Sequence, residues 1–430
     1  MFTKQTIEDI DLQGKTVLLR ADYNVPLDGG KITDDFRIRQ SLPTIKYLLG
    51  KDVRLIICSH LGRPSGPGDT ANSLFPVAKR LHQLLDKPVE FATDCIGPAA
   101  KKAAAGLKPG QVLLLENLRF HPEEKANDIG FAKQLVAASG AEVFVQDGFG
   151  VVHRAHASTS AITHYLPSVA GLLLAKEVDT ITKVVEQPER PLMAIIGGAK
   201  VADKLEILQR FIKIADFIAI GGAMAHPFLV ARGIDIGDSL YDKAELPHAK
   251  EILRAAEAEA HKRPFVFAVP HDGVVAEKID KAASTRIVEW TSHTMADIEH
   301  YPHRVPAKAG TVRAREKILD IGPFSASLIA GGIQLAETVI WNGTMGVTET
   351  PGLQGPIGPT AHGTQTVVEA LLGELGNKPF TVVGGGDTVG YVGSHHLTDH
   401  FDFVSTGGGA SLELMAGHKL PGVEALRGKK

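Results

Sequence analysis

Basic and hydrogen-bonding side chains follow directly after apolar runs in the N-terminal half of this 430-residue chain. Each run is typical of a buried strand, and parallel α/β sheets collect their ligand-binding loops at the carboxyl ends of the strands. Guanidinium groups that converge there bind phosphate or carboxylate, because their planar fork matches two oxygens at once. The side chains at these positions are Arg20, Asp22, Asn24, Arg37, His60, Arg63, Arg119, His153, Arg154 and His156.

Any one of these arginines could equally be half of a surface ion pair or a strand-end cap. A lone histidine in such a run is more often a satisfied hydrogen-bonding residue than a ligand for an anion. Because the same arrangement recurs after several successive runs, the set favours one shared site for a small polyanion.

A glycine pair separates a predicted strand from a predicted helix in the segment LMAIIGGAKVADKL. Lys200 and Lys204 are four residues apart in this segment, which predicts that both lie on one face of the helix. From there both ammonium groups would reach phosphates bound at the N-terminus of the helix. The bland alternative is a tight turn with no ligand.

The segment TVVGGGDT repeats this arrangement near residue 384. Gly384, Gly385 and Gly386 allow backbone amides to approach an anion closely, and Asp387 is a candidate helix cap and metal-side carboxylate. Neither glycine loop is a Walker A motif. Neither is the G-x-G-x-x-G fingerprint of a nicotinamide-dependent dehydrogenase, and the acidic ribose residue of that fingerprint is also missing.

Short runs rich in Val, Ile and Leu alternate with stretches of helical spacing, which predicts an α/β fold with doubly wound, Rossmann-like parallel sheets covered on both faces. The length predicts two domains, because one hydrophobic core rarely fills so long a chain. The helical stretch 171–190 ends in prolines and is the predicted hinge between domains 1–170 and 191–405. The apolar runs begin at residues 16, 54, 111, 142, 192, 217, 265, 338, 380 and 402.

Composition narrows the class of protein. A formal net charge of −3 argues against a surface built for nucleic acid or anionic membrane. Two cysteines exclude a disulfide framework and favour a reducing compartment. The N-terminus is polar, and no run of 18 uncharged apolar residues occurs, so we expect an untargeted cytoplasmic protein without membrane spans.

The motifs together resemble those of the phosphoglycerate kinase family, in the family's order and over nearly the whole chain. The resemblance implies reversible transfer of a phosphoryl group between ATP and the carboxylate of 3-phosphoglycerate, with Mg²⁺, in a monomer. It also implies that residues 406–430 return to complete the first domain. The strings that carry it are LLRADYNVPLDGGKITDDFRI, SHLGRP, LENLRFHPEE, HRAHAST, GGAKVADKL, WNGTMGV, GGGDT and STGGGASLELMAGHKLPGV.

The resemblance also implies roles for individual residues. On the acceptor side, 3-phosphoglycerate would be bound by Asp22, Asn24, Arg37, His60, Arg63, Arg119 and Arg154. On the nucleotide side, Lys204 and Asn342 would bind phosphates, Glu349 the ribose and Asp387 the Mg²⁺, within a loop of Gly384, Gly385, Gly386, Asp387 and Thr388. The transferring phosphoryl group would meet Arg37, Lys200 and the amides of Gly385 and Gly386.

Four positions on the adenine side depart from the family pattern. They are Ala223, Phe324, Thr344 and Thr348. These departures support the alternative of a catalytically idle relative that acts as a binding or regulatory protein. The phosphoryl-transfer residues Arg37 and Lys200 are retained, which favours an enzyme.

Overall fold

The apolar runs form the strands of two six-stranded sheets. The computed structural model describes residues 2–290, 310–353 and 355–429. The chain divides into unit 1, which comprises Met1–Lys183 and Thr406–Lys430, and unit 2, which comprises Val184–Ser405. Every neighbouring pair of strands within the two large sheets is parallel. The predicted α/β fold with two parallel sheets is therefore confirmed.

Unit 1 places its sheet between two apolar clusters. Val17 and Leu19 belong to one cluster and Leu18 to the other, because successive side chains of a strand point to opposite faces. Helices therefore cover both faces of the sheet, whose strand order is β5-β6-β4-β1-β7-β8. The strands are β1 Thr16–Arg20, β2 Leu27–Asp28, β3 Lys31–Ile32, β4 Arg54–Cys58, β5 Val89–Ala92, β6 Val112–Leu115, β7 Val143–Gln146 and β8 Ser168–Ala170. The helices are α1 Phe36–Leu49, α2 Phe75–Leu85, α3 Gly97–Gly106, α4 Ile129–Ser139 and α5 Leu172–Glu186.

Unit 2 contains the second large sheet, in the order β11-β10-β9-β15-β16-β17, and a three-stranded antiparallel sheet in the order β13-β12-β14. The small sheet was not predicted, because its strands mix polar and apolar residues over four or five positions. The strands are β9 Leu192–Ile196, β10 Phe217–Ile220, β11 Val266–Ala268, β12 Asp272–Ala276, β13 Arg286–Glu289, β14 Lys317–Ile321, β15 Thr338–Asn342, β16 Phe380–Gly384 and β17 Phe403–Val404. The helices are α6 Leu205–Ile214, α7 His226–Ala231, α8 Leu246–Ala260, α9 Pro323–Leu335, α10 His362–Leu371 and α11 Gly386–Ser394.

The chain returns to unit 1 at Thr406 and forms α12 Gly408–Ala416 and α13 Pro421–Glu424. The carboxylate of Glu177 on α5 accepts hydrogen bonds from the Thr406 amide and hydroxyl, at 2.6 and 2.7 Å. The Gln5 amide donates to the Arg427 carbonyl at 2.7 Å. Among the described residues, no helix combines the length and the apolar composition that a membrane crossing requires.

Candidate functional site

The predicted anion-binding residues of unit 1 form a connected cluster at the carboxyl ends of β1, β4 and β6. Arg37 on α1 approaches the Asp22 carboxylate at 3.5 Å and donates to the Asn24 carbonyl at 2.9 Å. The Asn24 side chain accepts a hydrogen bond from the Gly62 amide at 2.8 Å. Arg119 donates to the Gly62 carbonyl at 2.9 Å. The structure thus brings together side chains that the sequence distributes over almost a hundred positions.

A buried arginine fixes the orientation of His60. Arg20 is fully buried, and its Nη2 lies 3.1 Å from Nδ1 of His60. Because a guanidinium can only donate, Nδ1 must accept, and the neutral imidazole carries its proton on Nε2. Burial, helped by the charge of Arg20, holds the pKa of His60 well below its usual range. His60 is therefore a neutral donor rather than a cation.

Arg20 is in turn held by residues that the sequence did not single out. Its Nε donates to the Ser158 hydroxyl at 2.9 Å, and this hydroxyl donates to the Glu124 carboxylate at 2.6 Å. Ser158 and Glu124 are fully buried. Both lie in strings that carry the family resemblance, HRAHAST and LENLRFHPEE, and this was the only signal in the sequence that could have found them.

The cluster contains buried nitrogen atoms that no described group satisfies. Arg119 Nε and the Nδ1 atoms of His153 and His156 are buried and have no hydrogen-bond partner within the described residues. Arg63 and Arg154 are exposed, and neither takes part in an ion pair with another described residue. The unpartnered Nε of Arg119 and the two exposed guanidinium groups are donors of the kind that a site for a polyanion requires.

The pKa values of one acidic group, Asp22, and one basic group, His156, reflect the same excess of positive charge. Burial would raise the pKa of Asp22, but the nearby charges of Arg37 and Arg20 lower the pKa below its ordinary value. Burial, followed by repulsion from Arg20 and Arg119, lowers the pKa of His156 to about 4. Asp22 is therefore ionised and His156 is neutral at physiological pH.

Unit 2 contains a pocket of about 520 Å³ formed by loops that follow β9, β10 and β15, by the start of α11 and by the small sheet. Two of the predicted nucleotide residues, Glu349 and Asp387, line it. The other predicted residues are not among its lining but surround the loops that form its wall. Lys204 Nζ bonds the Gly197 carbonyl at 2.5 Å and the Asn342 side chain at 2.7 Å.

Glycines in this wall are required by close backbone approach. A Cβ on Gly197 would lie 2.1 Å from the Thr344 carbonyl, and a Cβ on Gly343 would lie 2.2 Å from the Gly197 carbonyl. The Gly343 amide donates to the Thr388 hydroxyl at 2.6 Å. The Asn342 amide nitrogen is buried without a partner among the described residues. The loops after β9 and β15 are thus packed directly against each other beside an unused donor.

Two details of the predicted glycine loops are wrong. Lys200 and Lys204 do not share a helix face, because α6 begins only at Leu205. The carboxylate of Glu245 accepts from the Val201 amide at 2.6 Å, which satisfies a backbone donor outside any helix. Lys200 is instead an exposed loop residue.

Asp387 is likewise not the cap of its helix. Gly385, with φ of +89°, occupies the N-cap position of α11, and Gly386 is the first helical residue. Asp387 lies in the first turn and is exposed. Since only glycine adopts this backbone conformation easily, Gly385 occupies the cap and Asp387 lies two positions after it.

The four departures from the family pattern are not all in the pocket. Ala223 and Thr344 line it, whereas Phe324 and Thr348 are not among its lining residues. Phe324 lies in the first turn of α9, with its ring 5.7 Å from the ring of His271. Only two of the four changes therefore bear directly on the pocket wall.

Sequence and structure comparisons agree with this arrangement. The sequence profile of the phosphoglycerate kinase family matches residues 7–418. The phosphoglycerate kinase of Moorella thermoacetica is 46% identical over 426 residues, which cover 99% of this chain and 100% of that protein. The chain belongs to the phosphoglycerate kinase family. The enzyme of Koribacter versatilis is 45% identical over 435 residues, with 99% and 100% coverage.

Two solved phosphoglycerate kinases share the fold. The structure from Coxiella burnetii matches with a TM-score of 0.77 and 32% identity, covering 98% of both chains. The structure from Pyrococcus horikoshii OT3 matches with a TM-score of 0.80 and 28% identity, covering 99% of this chain and 98% of the other. The predicted phosphoglycerate kinase activity in glycolysis is confirmed by the family assignment. The family assignment also sets aside the idle relative and the nicotinamide-dependent dehydrogenase.

Proposed function

We propose that the polar cluster of unit 1 binds 3-phosphoglycerate. The unsatisfied donors of Arg119, the neutral Nε2–H of His60 and the exposed guanidinium groups of Arg63 and Arg154 would together match a phosphate and a carboxylate. The depressed pKa of Asp22 keeps that carboxylate an acceptor for a substrate hydroxyl. The proposed acceptor residues are Asp22, Asn24, Arg37, His60, Arg63, Arg119 and Arg154.

The pocket of unit 2 is the proposed nucleotide site. Its size suits a small ligand, and its apolar and glycine-lined walls suit a base and a triphosphate respectively. The buried, unpartnered Asn342 amide supports a role on the phosphates. Glu349 lines the pocket, which supports its proposed role in binding the ribose. The proposed nucleotide residues are Lys204, Asn342, Glu349, Gly384, Gly385, Gly386, Asp387 and Thr388.

Catalysis by this chain would depend on charge and alignment rather than on proton transfer. The attacking carboxylate of 3-phosphoglycerate is already ionised at neutral pH, so no general base is needed. We assign Arg37, Lys200 and the amides of Gly385 and Gly386 to the oxygens of the transferring phosphoryl group. Fixed donors aimed at developing charge are worth several kcal/mol of barrier in a desolvated site.

The family uses a Mg²⁺-nucleotide, and Asp387 fits a role in holding the ion. Its carboxylate is exposed, lines the pocket and makes no hydrogen bond or ion pair with another described side chain. Mg²⁺ commonly takes one or two carboxylates, substrate phosphates and water, so a single protein ligand is sufficient. When bound, the ion would neutralise phosphate charge.

We further propose a cytoplasmic monomer that uses α5 as its hinge. The division between the two units falls at Lys183 and Val184, inside α5. Both cysteines, Cys58 and Cys95, are free buried thiols, as suits a reducing compartment. Small-molecule substrates would be its only partners in turnover, with no role for nucleic acid or membrane.

The observation that carries the proposal is the buried Nε–H of Arg119 in unit 1, which has no hydrogen-bond partner among the described residues. Steady-state turnover should be measured with ATP, Mg²⁺ and 3-phosphoglycerate, with formation of the acyl phosphate coupled to a dehydrogenase. Arg119→Met should raise the KM for 3-phosphoglycerate at least tenfold and leave the KM for ATP nearly unchanged. An unchanged KM for 3-phosphoglycerate would contradict the assignment.

A further inference from the structure

An ion pair lines the part of the unit 2 pocket that is formed by the small sheet. Lys317 is the first residue of β14, and its Nζ lies 2.5 Å from Oδ2 of Asp238. Both residues line the pocket. The Asp238 amide donates to the Glu316 carbonyl at 2.8 Å, so the backbone of one partner is fixed to the segment of the other.

The surroundings of this pair are apolar. Leu240 and Ile279 line the same pocket and are 66% and 55% exposed, which is unusual for large hydrophobic side chains. Ile318 follows Lys317 directly and also lines the pocket. Exposed apolar walls beside two charged groups suit a ligand with flat apolar faces and a polar edge, and a purine base has this character.

Two other carboxylates in the pocket lining are already occupied. Asp272 accepts hydrogen bonds from the Phe324 and Ser325 amides at the start of α9, both at 2.9 Å. Asp320 accepts from the Ile321 amide at 2.9 Å and from the Gly363 amide at 2.8 Å. In both side chains, each of the two carboxylate oxygens already accepts a hydrogen bond from the backbone.

Asp238 and Lys317 retain hydrogen-bonding capacity. A lysine ammonium has three donors, and Asp238 uses one of them. Oδ1 of Asp238 has no hydrogen-bond partner among the described residues, and the side chain is 62% exposed. A free acceptor therefore lies beside free donors on the apolar wall.

We propose that the Asp238–Lys317 pair recognises the polar edge of the nucleobase and determines base specificity. Asp238 accepts from the exocyclic 6-amino group of adenine, and Lys317 donates to a ring nitrogen. This inference rests on the proposed nucleotide site in unit 2. It assigns base specificity to Lys317 of β14 and to Asp238 in the segment that follows α7, rather than to the glycine loops.

The test compares ATP with purine riboside triphosphate, which differs from ATP only by the absence of the 6-amino group. In the wild-type enzyme, kcat/KM should be about fivefold higher for ATP, the size of one net hydrogen bond. Asp238→Ala should reduce this preference to within about twofold. Asp238→Asn keeps a neutral acceptor and should retain part of the preference for ATP. Lys317→Met keeps the carboxylate and should retain most of the preference.

Asp280→Ala is the matched control, because Asp280 pairs with Lys278 in the same unit but does not line the pocket. Its ATP preference should equal that of the wild type.

Calorimetric titration of the two nucleotides into each variant tests the same preference without turnover. Equal preference in wild type and Asp238→Ala, with normal turnover of ATP, would overturn the inference alone. Absence of ATP turnover in the wild type would overturn the proposed function as well.

Discussion

Arg20 determines which nitrogen of His60 carries the proton, because its buried guanidinium donates to Nδ1 at 3.1 Å. The imidazole consequently presents an Nε2–H donor and no positive charge. Burial and the charges of the neighbouring arginines both disfavour the imidazolium, so the neutral form of His60 is the stable one. The polar cluster of unit 1 therefore derives its positive charge from guanidinium groups and not from His60.

Nitrogen-15 NMR of His60 should show this tautomer directly. We expect an unprotonated shift for Nδ1 and a protonated shift for Nε2 from pH 5.5 to 8. Arg20→Met should remove the preference for this tautomer and weaken binding of 3-phosphoglycerate about tenfold, because His60 loses its fixed orientation. A titrating His60 in the wild type, with a midpoint near 6.5, would contradict the finding.

Substitution of Arg37 and of Arg63 should affect different kinetic constants. Arg37→Ala should lower kcat about a hundredfold or more, as expected for loss of a donor to the transferring group. Arg63→Ala should mainly raise the KM for 3-phosphoglycerate, because this exposed side chain is assigned to ground-state binding. Steady-state kinetics with varied acceptor concentration separates the two. Equal small effects on kcat would refute the assignment.

Unit 1 should lose stability as the pH rises through 7 because of Asp147. This residue accepts from the Leu173 and Leu174 amides at the start of α5, at 3.0 and 3.1 Å, while its Oδ2 has no partner among the described residues. Burial raises its pKa to about 7. Because the folded pKa lies above the unfolded one, the stabilising contribution of the neutral form is complete only below the unfolded pKa, near 3.8, and is lost progressively as the pH rises through about 7.

Asp147→Asn should remove this dependence, since an amide keeps the acceptor and cannot ionise. Between pH 6 and 8 the wild type should lose about 1 kcal/mol of unfolding free energy from this group. Urea unfolding of both proteins at the two pH values measures the difference. The same slope in the variant would rule out Asp147 as its source.

Asp387→Asn should raise the Mg²⁺ concentration needed for half-maximal turnover about tenfold, because the amide is a much poorer ligand for a hard cation. Excess EDTA should abolish turnover in the wild type. Asp399→Asn, at an exposed acid of the same unit, is the control and should leave the Mg²⁺ dependence unchanged. Identical Mg²⁺ curves for the two variants would remove Asp387 from the proposed metal site.

Buried parallel strands were the most predictable elements, because they are continuous apolar runs such as Thr16–Arg20 and Leu192–Ile196. Strands β5 and β8 were harder to predict, since they are short and contain Glu90 and Ser168. The small antiparallel sheet was missed for the same physical reason. Its strands are interrupted by charged residues such as Asp272, Arg286 and Asp320, so they carry no continuous apolar signal.

The positions of the candidate site residues, directly after strands, could be predicted from the sequence, but their contacts could not. The hydrogen-bonded chain from Arg20 through Ser158 to Glu124 joins three distant segments, and no local pattern encodes it. The face shared by Lys200 and Lys204 was predicted from spacing alone. The prediction is wrong because helix α6 begins only at Leu205. Before it, the Val201 amide donates a hydrogen bond to the carboxylate of Glu245, a residue remote in sequence.

The return of the chain to unit 1 at Thr406 has a consequence for biosynthesis. Gln5 and Ser168 receive backbone partners from Arg427, and Glu177 receives Thr406. A ribosome therefore completes all of unit 2 before the nascent first lobe can acquire these contacts. Until then that lobe carries unsatisfied polar groups and uncovered apolar surface, which makes the interval during translation its period of greatest exposure to chaperones and proteases.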